Sequence, residues 1–138
     1  DPDLLEVALQ LGAVYTARGR YADAESLLVR SLDGLRARHG DRHYMTLLAV
    51  SELADLYRTA GRPADAAPLI ARLRELAPEV LGPDHTDAVT ADYLAASVHR
   101  DEGRLDEAAR LFAAVADRRA KAFGPDHPDT LEAVLSAG

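Results

Sequence analysis

Three histidines, His43, His85 and His127, recur at a spacing of 42 residues. Histidine is a common transition-metal ligand, so a regular series raises the question of a metal site. Equivalent points of stacked helices lie about 8–10 Å or more apart. A zinc ligand sits about 2 Å from its ion. No two of these histidines can therefore share a metal, and they are read as linker and capping residues beside Asp84 and Asp126. His99 has the chemistry of a general base, with Ser97 and Asp101 close by in sequence. Residues one or two apart do not share a helix face, so these three form no triad and His99 is read as structural. The 23 carboxylates could supply an acid–base pair, but solvated helix faces need them too. Arg118-Arg119-Ala120-Lys121 is the one basic cluster, at the end of an expected helix, where cations complement the dipole. There is no cysteine and no glycine-rich phosphate loop. No catalytic residue, no metal site and no cofactor is predicted, and the chain is not expected to be an enzyme.

The elements that carry these residues are helices. Of the 138 residues, 27 are Ala and 21 are Leu, both strong helix formers, against one Ile and two Phe. The net charge of -7 argues against nucleic-acid or anionic-membrane partners. No apolar run approaches the roughly 18 residues of a membrane span, which points to a cytoplasmic location. All but one of the 16 basic residues are Arg and Asn is absent, a bias expected of a GC-rich bacterial genome.

The 42-residue step governs the whole chain. Gly19, Gly61 and Gly103 follow it, as do Gly40, Gly82 and Gly124; Arg20, Arg62 and Arg104; Ala24, Ala66 and Ala108; and Leu27, Leu69 and Leu111. Residues 1–42 and 43–84 agree at 11 positions, and residues 43–84 and 85–126 at 13. The chain divides into repeats 1–42, 43–84 and 85–126 and a capping half-repeat, 127–138. It reads as a fragment of a longer protein. Each repeat encodes two helices, expected at 3–18, 21–38, 43–60, 63–80, 86–102 and 105–122, with a seventh at 128–137 that packs through Leu131, Val134 and Leu135 on the helix before it. The first helix buries a stripe of Leu5, Ala8, Leu11, Gly12 and Tyr15; the second buries Ala24, Leu27, Leu28, Leu32 and Leu35. Gly12, Ala54 and Ala96 form a small column opposite Ala24, Ala66 and Ala108, which lets the paired helices approach closely. Gly-Pro-Asp-His at 82–85 and 124–127 reads as a helix stop followed by a capping Asp. Pro68 and Pro78 are expected to bend or end the fourth helix early.

Leu11-Gly12-x-x-Tyr15-x-x-x-Gly19-Arg20-Tyr21-x-x-Ala24-x-x-x-Leu28 resembles a tetratricopeptide repeat. The 42-residue period and the run Gly-Pro-Asp-His-Pro-Asp-Thr-Leu at 124–131 resemble the kinesin-light-chain-like subclass. The resemblance implies an all-α, right-handed superhelical solenoid of antiparallel helix pairs, with a concave groove lined by the first helix of each pair. It implies binding of peptides or protein surfaces. In this subclass an Asn pair on the first helix holds a peptide backbone; here the positions are Leu9-Gln10, Ser51-Glu52 and Tyr93-Leu94. The positions of the family's terminal-carboxylate clamp, Leu9, Ala13, Glu52, Thr90 and Leu94, hold no basic residue.

The face of the first helices away from the pair contact is the expected binding groove: Leu9, Thr16, Leu48, Ser51, Asp55, Arg58, Tyr93, Ser97 and Arg100. The expected function is a protein-interaction scaffold holding a peptide or protein segment there, as the sensor or scaffold part of a larger bacterial regulator. Arg58 and Arg100 could meet a carboxylate, or Asp55 could neutralise Arg58. The alternative is a self-association module that stacks through its array ends.

Overall fold

The computed structural model describes the backbone of residues 2–123 and the side chains of residues 4–121. Six helices follow one another, with no strand among the described residues: α1 (Pro2–Ala17), α2 (Tyr21–His39), α3 (Tyr44–Thr59), α4 (Pro63–Leu81), α5 (Thr86–Asp101) and α6 (Leu105–Phe123). The expected seventh helix, with Leu131, Val134 and Leu135, lies outside the described residues. Residues 1–76 and residues 77–138 form two compact units, and α4 runs through the division. In the first unit α1 packs on α2 and α3, and α2 on α3; in the second α5 packs on α6.

The Gly-Arg pair makes each corner between paired helices. Gly19, Gly61 and Gly103 take φ of 76°, 78° and 84°, where a side chain would be strained. The Gly19 N–H donates to the Thr16 carbonyl and the Arg20 N–H reaches back to the Tyr15 carbonyl (2.9 Å), the two bonds of a Schellman stop. Arg62 and Arg104 repeat the second bond to Tyr57 and His99, each at 2.8 Å. The carbonyl of the same arginine then accepts the first bond of the next helix, from Ala24, Ala66 or Ala108. Its guanidinium covers the ring that begins the corner, 4.5 Å above Tyr15 for Arg20 and 4.5 Å above Tyr57 for Arg62. In the third corner Arg104 Nε donates to His99 Nδ1 (2.8 Å), so the histidine keeps the arginine where the other repeats use a tyrosine.

Inside the pairs the small columns are buried as expected. Ala24, Ala54, Ala66 and Ala96 are wholly covered and Ala108 almost so. At Gly12 the contact is tighter still: a Cβ there would meet Leu28 Cδ2 at 2.6 Å and Cγ at 2.7 Å. Leu28 is fully buried and has no room to swing away. The corresponding positions are Ala54 with Ile70, and Ala96 with Phe112, which share one core cluster.

Three sequence expectations are corrected. The fourth helix does not end early at Pro68 or Pro78; α4 is one helix through both. Each proline removes one intrahelical bond, but Ala66, Ile70, Leu73, Leu76 and Ala77 stay buried along one face. The linker cap is the histidine rather than Asp84: His43 Nδ1 accepts the Met45 N–H and His85 Nδ1 the Asp87 N–H, both at 3.1 Å. A ring nitrogen on Cγ has the same reach as an Asn or Asp oxygen. Leu11 does not join the buried stripe of α1; it is exposed, while Leu9 is buried instead.

Gly12→Ala should cost about 1–3 kcal/mol by overpacking against Leu28. Adding Leu28→Ile, which recreates the Ala54/Ile70 combination, should recover most of that loss in thermal melts. A double variant no more stable than Gly12→Ala would mean the column is not set by this contact.

Candidate functional site

The groove residues predicted from sequence fall into two groups. Leu9, Thr16 and Ser97 are buried. The Thr16 hydroxyl donates to the Gly12 carbonyl (2.9 Å) and that of Ser97 to the Tyr93 carbonyl (3.0 Å), one helical turn back in each case. These three support the helices and present little surface. Leu48, Ser51, Asp55 and Arg58 on α3 are half-buried, and so is Glu52 between them. On α5, Tyr93 is half-buried and Arg100 exposed.

The charges on α3 are already partly matched. Arg58 Nη2 donates to Asp55 Oδ1 at 3.0 Å, one turn apart, so the arginine meets a carboxylate of its own helix. Glu52 sits one turn before Asp55. Burial, and then the nearby Asp55 charge, push the Glu52 carboxyl above the ordinary carboxylate range. The face therefore carries a partly desolvated acid that folding makes harder to ionise.

Tyr93, expected to line the groove, is engaged with the core. The Tyr93 ring meets Phe112 edge-on, with centroids 5.4 Å apart, and Arg119 lies 4.9 Å from its centroid. Arg100 lies over the Phe112 ring at 5.3 Å. Tyr93 thus joins the core clusters of the second unit from their edge.

Two arrangements were not foreseen from sequence. Arg118 donates to the Asp92 carboxylate and to the Pro83 carbonyl, tying α6 to α5 and to the linker before it. Asp92 stands in the column of Ala8 and Val50, and Arg118 in that of Gly34 and Leu76; Val50 and Leu76 are buried apolar residues. The signal was present: both columns change character in the same repeat. The second arrangement is a cavity of about 410 Å³ lined by His39, Asp41, Arg42, Arg72, Glu75 and Leu76. Asp41 accepts from Arg36 Nε (3.0 Å) and Arg72 Nη2 (2.7 Å), and the His39 and His43 rings stack at 4.0 Å. Desolvation, then the neighbouring His43 and Arg38, lower the His39 pKa from the ordinary histidine value. Among the described residues no group of three or more His, Asp or Glu side chains could hold a metal ion, and no helix is long and apolar enough to cross a membrane.

The tetratricopeptide repeat profile matches residues 3–79, more than half of the chain. The chain belongs to the tetratricopeptide repeat family. A second tetratricopeptide profile matches residues 93–129. The fold matches crystal structures of a Podosopora anserina kinesin-light-chain candidate with nearly identical TPR-like repeats: TM-score 0.86 at 22% identity, covering 96% of this chain. A form of that protein with one glutamine replaced by methionine gives 0.85 at 23% identity, also over 96% of this chain. This chain spans 63% and 62% of those two chains. No curated protein sequence matches it. The tetratricopeptide corner explains the recurring Tyr, Gly and Arg, whereas Glu52 and the Asp92–Arg118 pair each occur in one repeat alone.

Two measurements probe these charges. Asp92→Ala should destabilise by about 1–3 kcal/mol, less than for a fully buried pair because both side chains remain about one-quarter exposed. Asp92→Val with Arg118→Leu should fall within about 1 kcal/mol of the parent, since it restores the Val50/Leu76 chemistry. For His39, a lowered folded-state pKa means the unfolded chain takes up protons first as pH falls. Its contribution is present above the ordinary value of about 6.5 and is lost on acidification through and below it. His39→Gln should therefore make the urea midpoint less sensitive to acidification between about pH 7.5 and 5.5 than it is in the parent chain.

Proposed function

We propose that this tetratricopeptide array is a protein-binding module whose first unit holds a segment of another protein against α3, through Leu48, Ser51, Glu52 and Asp55. In the second unit, Tyr93 and Arg100 on α5 offer exposed edges of their own. The partner segment is basic. Glu52 carries this reading: its carboxyl is half-buried, its neighbour Asp55 is negative, and its pKa is raised rather than lowered. A guanidinium or ammonium brought to it by a partner would relieve that penalty, and a charge-assisted bond at a partly dry site is stronger than one in water. The net charge of -7 favours encounter with a basic segment. Arg58 serves this face by holding Asp55 rather than by receiving a terminal carboxylate. In a longer regulator the same face would act as its sensing or scaffolding arm.

Selection of random twelve-residue peptides on the immobilised chain should enrich Lys and Arg. Glu52→Gln should weaken the selected peptides about tenfold, the loss of one charge-assisted bond, while leaving the melting temperature equal or higher. Enrichment of acidic peptides, or Glu52→Gln binding as tightly as the parent, would overturn the proposal.

A further inference from the structure

The cavity beside the first linker lies wholly within the first unit, formed by the end of α2, the linker and α4. At about 410 Å³ it has the size of a small-molecule site. Arg42 and Arg72 line it, Arg36 reaches Asp41 of its lining, and Arg38 is close enough for its charge to act on His39. These four arginines stand against the two carboxylates of the lining, Asp41 and Glu75, a local surplus of two positive charges. No run of the sequence displays this cluster, because its members come from two helices and a linker.

The repeat does not need these arginines. The first and second linkers share their backbone bonds: the Gly40 N–H donates to the Arg36 carbonyl at 2.9 Å and the Gly82 N–H to the Pro78 carbonyl at 3.0 Å, and His43 and His85 cap the helices that follow. One repeat on, Arg36, Arg38, Arg42 and Arg72 are replaced by Pro78, Val80, Asp84 and Ala114. The same stop and the same cap thus form with none of the four. Asp41 gathers two of them, accepting from Arg36 on α2 through Oδ1 and from Arg72 on α4 through Oδ2. A guanidinium carries five N–H donors, so one bond to Asp41 leaves it able to grip a second oxyanion.

We propose that this cavity binds a phosphoryl dianion, as free phosphate or as the monoester of a small organic molecule. A monocarboxylate would balance only half of the surplus, whereas a phosphomonoester carries about −1.5 to −2 near neutral pH. Planar guanidinium forks match its oxygens. The chain's net charge of -7 opposes a long polyanion, but charges beyond about 8–10 Å are screened, so a small anion meets mainly the local field. Desolvation, then His43 and Arg38, lower the His39 pKa, and a dianion beside the ring acts in the opposite sense.

The test is an NMR titration of the 138-residue chain with inorganic phosphate and with phenyl phosphate. At least one should bind with a Kd of about 1 mM or tighter, and its addition should move the His39 imidazole titration to higher pH. Tighter binding of phenyl phosphate identifies an organic monoester as the ligand; equal or tighter binding of inorganic phosphate identifies the free ion. Arg42→Gln and Arg72→Gln should each weaken binding about tenfold, the loss of one charge-assisted bond. Arg72 also holds Asp41, so if the Arg72→Gln melt falls, Arg42→Gln alone decides. Lys121→Gln removes the same charge from an exposed site on α6 and should bind as the parent does. Arg42→Gln binding like the parent overturns the proposal, and so does equal weakening by Lys121→Gln, which reveals a diffuse charge effect. Benzoate binding as tightly as phenyl phosphate marks a carboxylate site and overturns it too, as does failure of both phosphates to bind at about 10 mM.

Discussion

The return of each Gly-Arg arginine N–H to the carbonyl five residues before it is the bond on which the arrangement depends. It fixes where the first helix stops and, because the same residue opens the second, the angle at which that helix leaves. The side chain adds a third constraint by lying on the ring at the start of the corner. With the corner fixed, the small residues at 12, 54 and 96 come against their partner helices at one height, and the apolar stripes follow. Each repeat reaches the same backbone with different side chains because the corner, more than the core, sets the geometry.

The core is correspondingly tolerant. Leu28, Ile70 and Phe112 fill one column, and the space opposite holds Gly in the first repeat and Ala in the others. At the positions of the paired Asp92 and Arg118 the first repeat carries Ala8 and Gly34 and the second Val50 and Leu76, three chemistries at equivalent positions. The last is an ion pair between helices, which weak solvent screening makes costly to break and no more stable than apolar filling.

The fold was almost fully legible in the sequence. A 42-residue period with two glycines per unit leaves little freedom in where helices begin and end, and the six described helices fall within one residue of expectation at either end. The binding face was less legible. Leu9 and Leu11 are two residues apart and equally apolar, and periodicity does not tell which one a neighbouring helix covers. Ser97 and Thr16 looked like exposed polar groups, but a hydroxyl can satisfy itself on its own helix and be buried. Tyr93 looked free because its partners, Phe112 and Arg119, come from the following helix. The histidines read as linker and capping residues do cap at His43 and His85, but the capping role expected of Asp84, the more usual type, falls to the His85 ring beside it.

The Asp92–Arg118 pair also bears on how such a gene can change. Repeated segments recombine, and an unequal exchange that joined the first half of one repeat to the second half of another would preserve every glycine and every corner. It would, however, set Val50 against Arg118 or Asp92 against Leu76, leaving a charge facing an aliphatic side chain inside a helix pair. Whole helix pairs can be duplicated or lost from this array, but the third repeat resists being spliced within itself. Its two helices are inherited together.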